Sequence, residues 1–97
     1  MILEIGYVEV LPENHSRFES AVNTAVRDVL MGAKGFKDFT LHKGIEESNT
    51  YAFLIYWETL EDHTVEFRGS DQFKRWRELI GPFFLKPSKV THWSRIT

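Results

Sequence analysis

The chain contains no cysteine. That removes disulfides, thiolate metal sites and cysteine nucleophiles together, and it suits a reducing compartment such as the cytoplasm. A basic surplus is missing as well: 12 lysines and arginines stand against 14 acids, a formal net charge of −2. A nucleic-acid footprint calls for the opposite balance. No apolar run approaches the ~20 residues of a membrane-spanning helix. The first ten residues, MILEIGYVEV, carry acids within their apolar stretch and lack a basic start, so they do not read as a secretory signal. No glycine-rich phosphate loop, G-x-S-x-G elbow or H-E-x-x-H helix occurs. Nucleotide-binding, serine-hydrolase and zinc-protease readings therefore lack their motifs.

What is present is a 97-residue chain rich in aromatic side chains, eight of them phenylalanine. It is read as a single domain over residues 1–97 with ample material for a core or a subunit interface. Ile2 to Leu11 predicts a strand with Ile2, Glu4, Gly6, Val8 and Val10 on one face. Gly6 within it suggests a bulge or a close approach to the backbone. Pro12-Glu13-Asn14 opens a helix, followed by Phe18, Ala21, Val22, Ala25, Val26, Val29 and Leu30 at helical spacing, with Gly32 and Gly35 as the stop. Phe36 to Lys43 predicts a second strand in which Phe39 and Leu41 alternate with polar residues. Gly44 to Asn49 is the hairpin loop.

The stretch from Tyr51 to Phe84 organises the rest. Tyr51 to Trp57 is apolar at odd and even positions alike, as in a strand covered on both faces. Thr59 with Asp62 resembles a capping box, Gly69 ends the short helix that follows, and Ser70-Asp71 starts another that runs to Gly81-Pro82. Val90 to Ile96 is the last strand, with His92 and Trp93 on opposite faces in an order that parity alone leaves open. The element order β-α-β-β-α-α-β predicts an α+β, ferredoxin-like antiparallel sheet with helices on one face. The other face, carrying Leu54 and Tyr56, is too apolar for a monomer, which predicts a homodimer.

Trp57-Glu58-Thr59-Leu60-Glu61 leaving the third strand and Ser70-Asp71-Gln72-Phe73-Lys74 opening the next helix resemble the antibiotic biosynthesis monooxygenase domain over essentially the whole chain. The string HTVEFRGSDQFKRWRELIGPFF is similar to a sub-group of small bacterial members whose role is mostly unassigned. The resemblance implies a dimeric α/β barrel with a pocket between sheet and helices in each subunit. It also implies relatives that oxygenate phenols and quinols without a cofactor, degrade haem, or isomerise an autoinducer. Trp57 matches the tryptophan that ends the third strand in the oxygenase and haem-degrading branches. Arg77 falls where polyketide oxygenases carry a pocket arginine, whereas Phe53 replaces their asparagine. Gly6 and Arg77 stand where haem degraders carry an asparagine and the iron-ligating histidine, which disfavours haem degradation. Phe67 stands where the wider family often has a histidine, with His63 one turn earlier.

The candidate site is therefore Trp57, His63 and Arg77 as catalytic residues, with Phe53, Phe67, Tyr7, Trp76 and His92 lining the pocket. Trp57 is either a flat wall for an aromatic ligand or core packing. His63 is either a general base for a phenolic proton or a buried histidine bonded to backbone. Paired with Glu66 and His92 it would hold a metal, a reading without further paired ligands; no metal or cofactor is expected. Arg77 borders the stripe of Phe73, Trp76 and Ile80, placed to steady an anion or to pair with Glu66. The expected function is cofactor-independent oxygenation of a small, electron-rich aromatic or quinol. The alternative is a non-catalytic, dimeric ligand-binding or stress-related module of the same fold.

Overall fold

The computed structural model describes residues 1–97. Strands β1 (Ile2–Glu9), β2 (Phe36–Lys43), β3 (Thr50–Trp57) and β4 (Lys89–Ser94) form one antiparallel sheet in the order β2-β3-β1-β4. Helix α1 (His15–Asp28) crosses from β1 to β2. A π-helical turn (Asp62–Phe67) and helix α2 (Asp71–Ile80) cross from β3 to β4. This is the expected α+β, ferredoxin-like order with its second helix divided. No helix is long and apolar enough to cross a membrane.

Cross-strand partners share a face, so the register assigns each side chain. Glu4 lies opposite Ile55 and His92, Gly6 opposite Phe53 and Val90, and Val8 opposite Tyr51. These residues face the helices, and Val8, Tyr51, Phe53 and Ile55 among them meet Phe18, Val22, Ala25, Val29 and Leu30 from α1 and its C-terminal turn, and Trp76 and Ile80 from α2, in one core. The helical stripe predicted for α1 is thus the buried one, although Ala21 and Val26 are only half-buried. Pro12 begins a short 3-10 turn rather than the α-helix itself.

Two local features depart from simple alternation. A register shift between Phe36 and Asp38 lets both Phe36 and Phe39 face inward, against Trp57 and Phe53 respectively. Gly6, by contrast, sits in a regular ladder without the expected bulge, and a Cβ there would just touch the Phe53 ring. Its lack of a side chain leaves floor space instead.

The second crossover carries the site and is pinned at both ends. Thr59 Oγ1 accepts from the Asp62 N–H at 3.1 Å, and Ser70 Oγ caps α2 by accepting from Phe73 N–H at 3.2 Å. Between them the helix is wound wide: Arg68 N–H donates to the His63 carbonyl five residues back at 3.1 Å. Asp62 is buried against Gly35, which has φ +79° and leads into β2. A Cβ at Gly35 would overlap the Asp62 carboxyl, and the left-handed backbone is strained for any other residue. Gly35→Ala is therefore expected to lower stability by about 2–3 kcal/mol, read as a shift of the urea midpoint. An unchanged midpoint would show that this lock contributes nothing.

Candidate functional site

A cavity of about 870 Å³ opens between the sheet and the second crossover. Gly6, Phe53 and Ile55 form its floor, and Phe67, Phe73, Trp76 and Phe84 supply aromatic walls. Three polar side chains meet at one end of it. Glu4 reaches in from the central strand β1, His63 from the π-helical turn, and His92 stands beside them on the edge strand β4.

These three side chains form a chain of contacts. Glu4 Oε1 accepts from the Trp57 indole N–H at 2.9 Å and lies 3.3 Å from His63 Nε2. His63 Nδ1 lies 2.8 Å from His92 Nε2. The His63 ring is stacked on Trp57, with centroids 5.2 Å apart and planes inclined by 15°. Glu4, His63 and Trp57 are all buried, His92 half-buried. Because each imidazole exchanges donor and acceptor by changing tautomer, the line Glu4–His63–His92 accommodates a proton at either end.

Burial dominates the acid–base behaviour. It pushes the Glu4 carboxyl up to about 7, against the opposing pull of the Trp57 hydrogen bond and the Arg68 charge. It pushes His63 down to about 3, with the Arg68 charge and His92 acting in the same direction. His92 is lowered by burial and then by Arg68. Near neutrality, then, Glu4 is the group poised to gain or lose a proton, and His63 is its neutral partner.

The expected residues fall into three groups. His63, Arg77, Phe53, Phe67 and Trp76 line the cavity. His92 belongs to the site through His63, and Trp93 occupies the opposite face of β4, more than half exposed. Two assignments need correction. Tyr7 pairs with Ala52 and points to the far face of the sheet, so it does not line the cavity. Trp57 has no exposed surface and offers no wall to a ligand; it fixes Glu4 and His63 from behind. His63 is bonded to side chains rather than to backbone, and exposed Glu66 joins neither His63 nor Arg77. No group of three or more potential ligands with metal-site geometry occurs. His15, outside the site, is half-buried, with its Nε2 3.0 Å from the Val10 carbonyl.

Glu4 is the residue that sequence reasoning missed. Its signal was present: an acid sharing a strand face with Ile2, Gly6, Val8 and Val10. Arg68 is a second residue that sequence reasoning did not assign to the site. Its charge reaches Glu4, His63 and His92, whereas Arg77 sits over the Phe73 ring at 5.8 Å.

The shifts fix the sign of the pH dependence. A carboxyl raised in the folded state contributes stability below its ordinary value of 4.5 that is lost as pH rises through 7. His63, lowered from 6.5 to about 3, contributes stability above its ordinary value that is lost as pH falls toward 3. Glu4→Gln keeps an acceptor for Trp57 and removes the ionisation. The variant is expected to gain on the parent by about 2–3 kcal/mol between roughly pH 5 and pH 8, measured by urea unfolding across that range. A difference that does not vary with pH would mean that Glu4 ionises like a surface acid.

Known proteins share both the sequence pattern and the fold. The antibiotic biosynthesis monooxygenase profile matches residues 1–79. The uncharacterized protein YczJ of Bacillus subtilis (strain 168) is 33% identical over 96 residues, covering 99% of this chain and all of its own. A Bordetella bronchiseptica structure assigned to antibiotic biosynthesis monooxygenases superposes with a TM-score of 0.93 at 35% identity, covering 99% of this chain and 97% of that one. A Streptomyces coelicolor monooxygenase from the gene ActVA-Orf6, solved with nanaomycin D, shares the fold at 15% identity. Its TM-score is 0.84, over 99% of this chain and 88% of its own. With the profile spanning most of its length, the chain belongs to the antibiotic biosynthesis monooxygenase family.

Proposed function

We propose that the protein is a cofactor-independent monooxygenase acting on a small, electron-rich phenol or quinol bound in the cavity beside Glu4. The observation that carries this reading is a buried carboxyl held near neutrality in hydrogen-bonding reach of a neutral histidine, on the floor of an aromatic-walled cavity. Monooxygenase-type chemistry is supported by the family; the substrate class is this reading's own.

The steps follow from those groups. Glu4, in its ionised form, takes the phenolic proton, and a base with a pKa near the working pH is the effective one. His63 and His92 offer the proton a path toward the edge of the sheet by tautomer exchange. The Arg68 charge offsets the negative charge of the substrate anion. That anion passes one electron to O2, and the resulting pair combines into a peroxide at a ring carbon. Cleavage of the O–O bond takes up a proton, leaves one oxygen as a ring carbonyl and releases the other as water. The two hydrogens lost are those of the phenol and of the attacked carbon. His63, first read as the base, becomes the partner that holds and relays the proton.

The assembly completes the reading. Leu3, Ile5, Tyr7, Leu54, Tyr56 and Trp93 face away from the helices, and Tyr7, Tyr56 and Trp93 are 42%, 39% and 56% exposed. An apolar face of this kind is covered by a second copy in a two-fold dimer. Light scattering is expected to give the mass of two chains, and a one-chain mass removes the dimer. The compartment proposed is the cytoplasm, in keeping with a chain free of cysteine.

Oxygen uptake is the direct test, against anthrones, catechols and quinols without added flavin. Glu4→Gln is expected to lower kcat by about 100-fold or more, with substrate binding changed only a few-fold. Uptake at the parent rate in that variant would remove Glu4 from the mechanism. Absence of uptake with every compound would favour the ligand-binding module.

A further inference from the structure

The cavity rim carries a charge pattern that a neutral phenol does not use. Four cations line the cavity, Arg68, Lys74, Arg77 and Lys86, together with two carboxylates, Glu4 and Glu78. Lys86 is engaged with Glu9 at 3.3 Å. Arg68, Lys74 and Arg77 have no carboxylate within 4.0 Å, although Glu78 lies one turn from Lys74 on the same helix.

The three free cations divide by position. Arg68 follows the π-helical turn, and its charge acts on Glu4, His63 and His92 at the polar floor. Lys74 and Arg77 are three residues apart on α2, so they share one face, and both border the cavity. Arg77 is held over the Phe73 ring, itself part of the aromatic wall. A planar guanidinium set beside a lysine on an aromatic surface matches a carboxylate attached to an aromatic ring.

We propose that Lys74 and Arg77 bind the carboxylate of an aromatic acid whose phenolic end reaches Glu4 and His63, so that the substrate class is hydroxylated aromatic carboxylates. This rests on the reading that the cavity binds an electron-rich aromatic. It gives the two ends of the ligand different partners: an anion site at the rim and a proton acceptor at the floor. The carboxylate would thereby orient the ring before any proton is removed.

Calorimetric binding separates this from a general affinity for aromatics. The probes are a hydroxynaphthoate with hydroxyl and carboxylate at opposite ends of the ring pair, and the naphthol that lacks the carboxylate. The acid is expected to bind about tenfold or more tightly than the naphthol at low salt, and that preference should shrink as salt is added. A Lys74→Ala/Arg77→Ala double variant should lose the preference for the acid over the naphthol, and the charge-keeping Lys74→Arg variant should retain it. Equal affinities in the parent protein, a preference untouched by the double variant, or no binding of either probe would each overturn the proposal. Tight, charge-dependent binding of the acid with no oxygen uptake from any phenol would keep the anion site and remove the oxygenase reading. Oxygen uptake with equal binding of both probes would do the reverse.

Discussion

A carboxyl kept out of water on the central strand is the constraint around which the second half of this protein is arranged. An unpaired buried acid costs several kcal/mol when ionised, so it persists only where partners meet its lone pairs. Glu4 finds them in the Trp57 indole N–H on the neighbouring strand and in His63, delivered by the following turn. That need accounts for Trp57 being fully buried rather than exposed to a ligand. It also accounts for the wide winding of Asp62–Phe67, which places His63 flat on the Trp57 ring. The Asp62–Gly35 contact then fastens the turn to the start of β2.

The rest of the crossover divides into wall and rim. The buried and half-buried aromatics of α2 and its flanks, Phe67, Phe73 and Trp76, pack edge-on against one another and leave an apolar recess above Gly6. Lys74 and Arg77 stand on the exposed side of the same helix and border the opening without a cost in desolvation. A polar focus at the bottom, apolar walls and a cationic mouth is an arrangement that orders a ligand end to end. The oxygenation account and the proposed anion site read different parts of it.

Much of this was legible from residue pattern, and the exceptions have physical reasons. Element order, the α1 stripe and the breaks at Gly69 and Ser70 depend on local periodicity and capping, which the chain states plainly. His63 could be placed inward because helical spacing ties it to Phe67. Strand residues were harder, since alternation assigns two faces without saying which is covered. His92 and Trp93 could be sorted only once β4 paired with β1 and set His92 opposite Glu4. Tyr7 was misplaced for the same reason, although it shares a face with Leu3 and Ile5. Phe36 escaped alternation through the register shift before Asp38. Glu4 was overlooked because an acid in a strand usually marks a solvated position, and its partners lie more than fifty residues away.

The central claim is that Glu4 exchanges a proton near neutrality while His63 remains neutral. Carbon-13 and nitrogen-15 NMR titration of the Glu4 carboxyl and the His63 ring tests it without any substrate. The account predicts a Glu4 midpoint at about pH 7 and a His63 ring with a single proton down to well below about pH 5. A Glu4 midpoint near 4.5, or a doubly protonated His63 at neutral pH, would contradict it.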